Sequence, residues 1–513
     1  LPVGDEELPM SKKRVALVLS GGVSLGSYIA GALDELLRQM AQSDQYEIDI
    51  ITGASAGATT AAIIAHALLY RNGDTLLHQI WVDQIDSYDL LDPDIPKGTP
   101  FSLLSNRRLQ SISRQALTLP PGYQPRRSPL CADQLELAMT ITNLDALSYE
   151  SRVRLKTGRA SEPFIQDRHT EQETFQLVST TSPTDPLWER VATVALASAA
   201  LPMVFPPIAI TRKLGDQANP DLPAWQSSLQ YIQTPVRNPE QADVAAATFL
   251  YADGGLFNNL PIDLAWHYVQ SHDGDQPDPS QRVIIIVDPS KDRIQTISLD
   301  PPTQRGSYRN PLVYLGGLIV AMYREGGAIQ FDREVLNPAD QVLGALPGVD
   351  RPEVEALNDV ALVLPRPDQP HLIGAHLIFA LGAFLDQSFR EYDFRRGAAD
   401  ARAVAQKLLG LAADVTRPEG SLFYAPDSDP RFKPYPTSYA TLNQIPSIRF
   451  PGKSVRAVLE TRLRQRLGAV IRSYPVGESR LLKALWAVVR YPFSWLLTDY
   501  LVKQLPDHWL PGS

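Results

Sequence analysis

Near the start of the chain, Arg14–Ser20 (RVALVLS) is a short apolar, β-branched run that stops at Gly21-Gly22. From Gly26 to Met40 apolar residues then recur at helical spacing, with Ala30, Leu33, Leu36 and Leu37 on one face. The same order follows at once: Ile48–Thr52 (IDIIT) reads as a strand, Gly53–Gly57 as a tight turn and the Ala-rich Ala58–Leu69 as a helix. Two strand–turn–helix units in succession bring the second strand back beside the first in the same direction, because the helix consumes the return path. The expected architecture is therefore α/β, with a mostly parallel central sheet and helices packed on its faces.

Further strands are expected at Leu137–Thr142, Arg152–Thr157, Thr174–Ser179, Thr248–Ala252 and Val283–Val287. The last is a continuous apolar run, VIIIV, as a strand buried on both faces requires. An α/β domain over residues 12–290 accounts for these elements. Two stretches, near 86–130 and 211–243, are Pro-rich or polar and have too little periodicity for standard elements, so they read as surface insertions. Residues 291–513 form a mainly helical C-terminal region, with patterns at Pro311–Tyr323, Gly374–Arg390, Ala398–Leu411, Val455–Arg472 and Arg480–Val502.

Whole-chain properties exclude several roles. With 48 basic against 57 acidic residues the formal net charge is -9, which argues against a general nucleic-acid binder. Cys131 is the only cysteine, so neither an intramolecular disulfide nor a thiolate metal cluster can form. The first residues lack the basic start and apolar stretch of a secretory signal, and no apolar run reaches the roughly 18 residues of a membrane span. A cytoplasmic location is the expectation. Leu481–Val502, with Trp486, Phe493 and Trp495, suits either peripheral contact with a membrane surface or packing against the α/β core.

Three motifs carry chemistry. Gly53-Ala54-Ser55-Ala56-Gly57 is a G-x-S-x-G sequence between a strand and a helix, the setting in which a strained turn exposes a nucleophilic hydroxyl. The same setting suits a serine that merely caps the helix. Gly21-Gly22-Val23-Ser24-Leu25-Gly26 ends the first strand and offers backbone N–H groups to an oxyanion or a phosphate. It lacks the Lys-Ser/Thr of a P-loop and the spacing of a dinucleotide fingerprint. Asp253-Gly254-Gly255 ends a later strand, where a carboxylate stands on the sheet edge at which ligands collect, although an Asp-Gly pair is also an ordinary turn. A histidine base is the rival to Asp253, and His272, in SHDGDQ, is the loop candidate in the order serine, acid, histidine.

Taken in order, SGGVSLGSYIAGAL, GASAG, ASAALPMVFPP (Ala197–Pro207) and DGGLFNNLPI (Asp253–Ile262) resemble the patatin-like phospholipases. The resemblance implies a three-layer core and a serine lipid acyl hydrolase that works through a Ser-Asp dyad and an acyl-enzyme. It implies Ser55 as nucleophile, Asp253 as base and the backbone of Gly21, Gly22 and Val23 as oxyanion donors. Gly26, Gly53, Gly57, Gly254 and Gly255 support these motifs, and the chemistry requires no metal or cofactor. Many members carry a third glycine and an arginine where this chain has Val23 and Leu25. The substrate expected is a phospholipid or another long-chain acyl ester, with residues 86–129 as a lid or acyl-chain wall. Leu381–Ala401 resembles a segment of a subset of bacterial patatin-related proteins, and its charges read as helix packing rather than chemistry. The alternatives are a catalytically weak lipid-binding or scaffold protein with this fold and a nucleotide-binding protein using the Gly21 loop.

Overall fold

A computed structural model describes residues 12–153, 162–213, 231–235, 246–273, 281–291, 360–365, 381–408 and 442–473, apart from 75 and 97, with isolated positions between 318 and 374 and between 487 and 499. The two units at the start form as their pattern requires: β1 (Lys13–Leu19), α1 (Gly26–Ser43), β2 (Tyr46–Gly53) and α2 (Ala56–Tyr70). There follow α3 (Ser87–Leu90), α4 (Arg107–Ala116), β3 (Cys131–Val153), β4 (Phe164–Val178), α5 (Leu187–Ser198), β5 (Ile208–Lys213), β6 (Tyr231–Pro235), β7 (Ala246–Asp253), α6 (Ile262–Asp273) and β8 (Arg282–Val287). Beyond residue 290 come β9 (Val360–Val363), α7 (Gln387–Leu408) and α8 (Val455–Ser473).

The strands make one sheet in the order β5-β7-β3-β2-β1-β8-β9, with β4 and β6 also paired to β3. The run β3-β2-β1-β8-β9 is parallel; β4, β6 and β7 meet β3 antiparallel. Alternation along β1 sorts the two faces. Val15, Leu17 and Leu19 enter the large core with α1 and α2, whereas Ala16 and Val18 join Ile50, Ile284 and Ile286 beneath Ile262, Ala265 and Val269 of α6. The result is the expected three-layer α/β/α arrangement. It sets the C-terminal ends of β1 and β2, and thus both glycine turns, on one edge of the sheet.

Several expectations about elements change, among them that for residues 211–243, which carry the end of β5 and the whole of β6. Residues 86–129 are not free of regular structure: α3 starts where Asp86 Oδ1 accepts the Tyr88 N–H at 2.7 Å, and α4 carries a narrow stripe of Leu109, Ile112 and Ala116. Three apolar positions in ten residues are too few for a convincing period. The strand expected at Leu137–Thr142 and the start of the one expected at Arg152–Thr157 belong to one 23-residue strand, interrupted by a register shift between Thr142 and Leu147 where Ala146 takes φ 64°; residues 154–157 lie outside the described residues. The polar residues of that bulge mimic a turn. The mainly helical region after residue 290 also carries β9, which lengthens the sheet by pairing Val360–Val363 with Ile284–Val287. The break expected between Arg390 and Ala398 lies inside α7.

Gly397 lies within α7 and serves packing. A Cβ at Gly397 would stand 2.0 Å from Tyr28 O, and one at Gly31 1.8 Å from Phe394 O, so α1 and α7 cross with their backbones in contact. Tyr28 Oη donates to Asp400 Oδ2 at 3.2 Å and Arg402 Nε to Glu35 Oε1 at 2.8 Å along the same seam. No helix among the described residues is long and apolar enough to cross a membrane. The patterns at Pro311–Tyr323 and Arg480–Val502 fall mainly outside the described residues.

Candidate active site

Between β2 and α2 the chain reverses in two residues, and the cost falls on the serine. Ser55 adopts φ 52° and ψ −122°, a conformation that costs a non-glycine residue about 1–3 kcal/mol and persists only where the surroundings hold it. The flanking glycines do not carry the unusual backbone angles. Their function is close approach: a Cβ on Gly57 would lie 2.3 Å from the carbonyl oxygen of Leu19, and one on Gly53 2.7 Å from the Ala58 nitrogen. Small residues therefore let the end of β1 sit directly against the turn.

The Ser55 hydroxyl does not cap α2. It donates to Asp253 Oδ2 at 2.7 Å, while the Ser55 backbone N–H donates to Ser198 Oγ at 2.8 Å. Asp253 arrives at the end of β7, opposite Ile141 of β3, with its backbone N–H bonded to Ala200 O and its carbonyl accepting from Thr142 Oγ1 at 2.8 Å. Its second carboxylate oxygen accepts the Gly255 N–H at 2.8 Å. The turn role and the serine-facing role thus coexist, one on each oxygen. A Cβ on Gly254 would stand 2.1 Å from Thr140 O, which is why β3 can carry the loop so closely.

Both side chains are almost wholly buried. Burial penalises the carboxylate charge and pushes Asp253 up to about 7, against the opposing effect of the hydrogen bonds from Ser55 and Gly255. His272 stands elsewhere. It ends α6 with Nδ1 3.1 Å from Asp49 Oδ2, and Asp49 lies four residues, roughly 13 Å at strand rise, down β2 from Gly53.

The glycine-rich loop forms a short 3₁₀ turn, Val23–Leu25, ahead of α1. Val23 has φ 53°, rare for a β-branched residue. One expected donor is occupied, since the Gly21 N–H bonds to Asn259 O at 3.0 Å. The loop is tied there to the segment following Asp253, and Gly21 is removed from the set of open donors. No acceptor for the N–H of Gly22 or Val23 is found among the described residues, and the same holds for Ala56 at the first position of α2. Ala56 is not among the donors expected from the sequence, although the residue after a G-x-S-x-G serine commonly supplies one.

An apolar cleft opens from these groups and encloses about 590 Å³ of space, part of it continuous with solvent. Val23, Ser55 and Ala56 stand on its lining with Thr59 and Ile63 of α2 and Ile80, Trp81 and Ile85 of the segment after α2. Leu109, Ile112 and Ser113 of α4 form another wall, so part of residues 86–129 lines the cleft. Ala199 and Phe205 come from the ASAALPMVFPP block, Leu196 stands just before it, and Phe384 enters from the C-terminal region. Ser198, Trp81 and Phe384 escape sequence reading: each is an ordinary residue in a helix or short turn, and only the tertiary fold brings it here. No group of three or more His, Cys, Asp or Glu side chains able to hold a metal ion is found among the described residues.

The chain is thus an α/β protein whose mostly parallel sheet carries a strained serine at one strand end, a buried carboxylate on its hydroxyl and an apolar cleft beside them. Residues 17–266 match the model of the patatin-like phospholipases and form a domain of that family, whose members are lipid acyl hydrolases. Two curated relatives are distant. An uncharacterized protein, y4iI, of Sinorhizobium fredii is 24% identical over 77% of this chain and 65% of its own length. An uncharacterized membrane protein, Rv3479, of Mycobacterium tuberculosis is 23% identical over 60% of this chain and 30% of its own. The chain thus spans less than two thirds of either relative. Among solved structures, VipD from Legionella pneumophila aligns with TM-score 0.28 at 12% identity, covering 78% of this chain and 67% of that one.

Proposed function

We propose that this protein hydrolyses carboxylic esters of phospholipids or related long-chain lipids, with Ser55 as nucleophile and Asp253 as general base. The observation that carries the reading is the 2.7 Å hydrogen bond from Ser55 Oγ to Asp253 Oδ2 beside an apolar cleft. A carboxylate raised to about 7 is half ionised near neutral pH, and in its ionised form it is a far stronger base than a free aspartate. As the hydroxyl attacks the ester carbonyl, Asp253 takes its proton. The new C–O bond places negative charge on the former carbonyl oxygen, within reach of open backbone N–H groups.

Gly22, Val23 and Ala56 are the donors proposed for that oxygen, in place of the triplet beginning at Gly21. Collapse of the tetrahedral species expels the alcohol, which recovers the proton from Asp253, and leaves an acyl-Ser55 ester. Water, activated by the same carboxylate, then releases the fatty acid. The apolar walls suit an acyl chain and exclude bulk water, which keeps the buried charge costly and therefore basic.

The test is product analysis over a panel of phospholipids, lysophospholipids and acylglycerols, with Ser55→Ala and Asp253→Asn as separate controls. Fatty-acid release that disappears in each folded variant supports the dyad. Undiminished release in either one rejects it.

A further inference from the structure

Val23 holds an uncommon backbone conformation in the loop proposed to bind the oxyanion, so something must restrain its neighbours. Ser24, the next residue, is fully buried, and its hydroxyl accepts the N–H of Ala383 at 3.0 Å and donates to the carbonyl of Gly374 at 3.4 Å. The Gly374 N–H in turn donates to Asp393 Oδ2 at 2.7 Å, on α7. The fit is tight: a Cβ on Gly374 would stand 2.8 Å from Leu25 Cδ2, 2.8 Å from Asp393 Oδ2 and 3.1 Å from Ser24 Oγ. Ala383 precedes Phe384, which lines the cleft. All of these partners lie outside the family-matched residues 17–266.

We propose that Gly374, Ala383 and Asp393 form a latch that holds the glycine-rich loop in its oxyanion-binding shape, with Ser24 as the positioning residue on the loop side. The proposal rests on the acyl-hydrolase reading above. An oxyanion donor is effective only within a few tenths of an ångström of its working distance, because its value depends on being aimed before charge develops. Without the latch, Val23 relaxes toward negative φ and turns the adjacent peptide planes away from the acyl group. Ser24, Gly374, Ala383 and Asp393 do not stand on the lining of the apolar cleft, so loss of the latch is felt mainly in the chemical step.

The experiment uses the full chain. Ser24→Ala removes the bridging hydroxyl and adds no bulk. Its kcat on a soluble carboxylic ester and its rate of Ser55 labelling by a fluorophosphonate should fall together, by about tenfold to a hundredfold, with KM within about twofold of wild type. Asp393→Ala should act in the same direction. Asp393→Asn, which keeps an oxygen for the Gly374 N–H, should recover most of the rate; this pair decides the matter if Ser24→Ala does not fold. A Ser24→Ala enzyme with kcat and labelling within about twofold of wild type, or an effect confined to KM, overturns the latch. If the wild-type protein neither hydrolyses esters nor labels, the acyl-hydrolase reading falls and the latch with it. If wild type reacts and the folded variants react equally well, the latch alone falls.

Discussion

Replacing Asp253 with asparagine should destroy ester hydrolysis and at the same time remove a specific pH dependence of stability. Asp253 is fully buried and its pKa is raised by that burial from 3.8 to about 7. The folded protein therefore binds a proton that the unfolded chain releases anywhere between those values. Stability from this group is fully present below the unfolded value and is lost as pH rises through the folded one. Between pH 5 and pH 8 the linkage amounts to roughly 2–3 kcal/mol, favouring the folded state at the lower pH. The amide of the Asp253→Asn variant cannot titrate, so the stability of wild type relative to that variant should grow by about the same amount on going from pH 8 to pH 5, whatever fixed cost the amide adds. Urea unfolding of both proteins at the two pH values measures it. The same titration predicts that kcat/KM at pH 6 is about one tenth of its plateau, since only that fraction of Asp253 is ionised there. A stability difference independent of pH, or a rising limb centred near 4, would refute the argument that burial sets the basicity of this carboxylate.

Three further outcomes follow from separate contacts. Gly57→Ala should destabilise by about 3 kcal/mol or more, because its Cβ would stand 2.3 Å from the rigid backbone oxygen of Leu19; a loss under about 0.5 kcal/mol in urea unfolding would contradict the close approach. His66 is buried between Tyr70 and Trp188 with neither ring nitrogen bonded among the described residues, and burial, aided by Arg71, lowers it to about 3. This group has the opposite sign to Asp253: its stability is present above about 6.5 and falls with pH, by about 2 kcal/mol between pH 7 and pH 5, a loss that His66→Phe should abolish in the same assay. Ile112→Phe narrows the α4 wall of the cleft. If two methylenes of a long acyl chain lose their contact, about 1.6 kcal/mol, the long-chain to short-chain ratio of kcat/KM drops roughly fifteenfold, whereas an unchanged ratio places the acyl chain elsewhere.

The parts of this molecule that are legible in advance are those whose signal is local. β1, α1, β2 and α2 follow from alternating and helical periods over fewer than twenty residues, and their order alone dictates a parallel sheet. Ser55 and Asp253 are recognisable as motif residues, but no spacing rule says that residues 198 positions apart share a 2.7 Å hydrogen bond. That contact depends on β7 docking antiparallel to β3 at Ile141. The Gly21 N–H is misread as an open donor for a related reason: whether a backbone donor is open depends on a distant carbonyl, here Asn259, and carbonyls leave no mark in a side-chain pattern. β3 reads as two strands because Asn143-Leu144-Asp145 resembles a turn in composition while serving as a bulge.

The C-terminal region shows the limit of hydrophobic periodicity most sharply. A helix as rich in charge as α7 is ordinarily solvated on most of its faces. Here Arg390 is among the largest fully buried side chains of the described residues, with its guanidinium donating to the carbonyls of Val82, Ala383 and Phe384 and standing 3.5 Å from Asp86. A buried cation is tolerable only when such partners surround it, and these come from two segments about 300 residues apart in the chain. Arg390 thereby fixes the turn carrying Phe384 against the segment carrying Trp81, and both residues line the cleft. One wall of the cleft is thus built by polar contacts across the family-matched boundary at residue 266, where neither a motif nor a period has any purchase. The charges of α7 do fix helix packing, as the sequence suggests, and through that packing they shape the space beside Ser55.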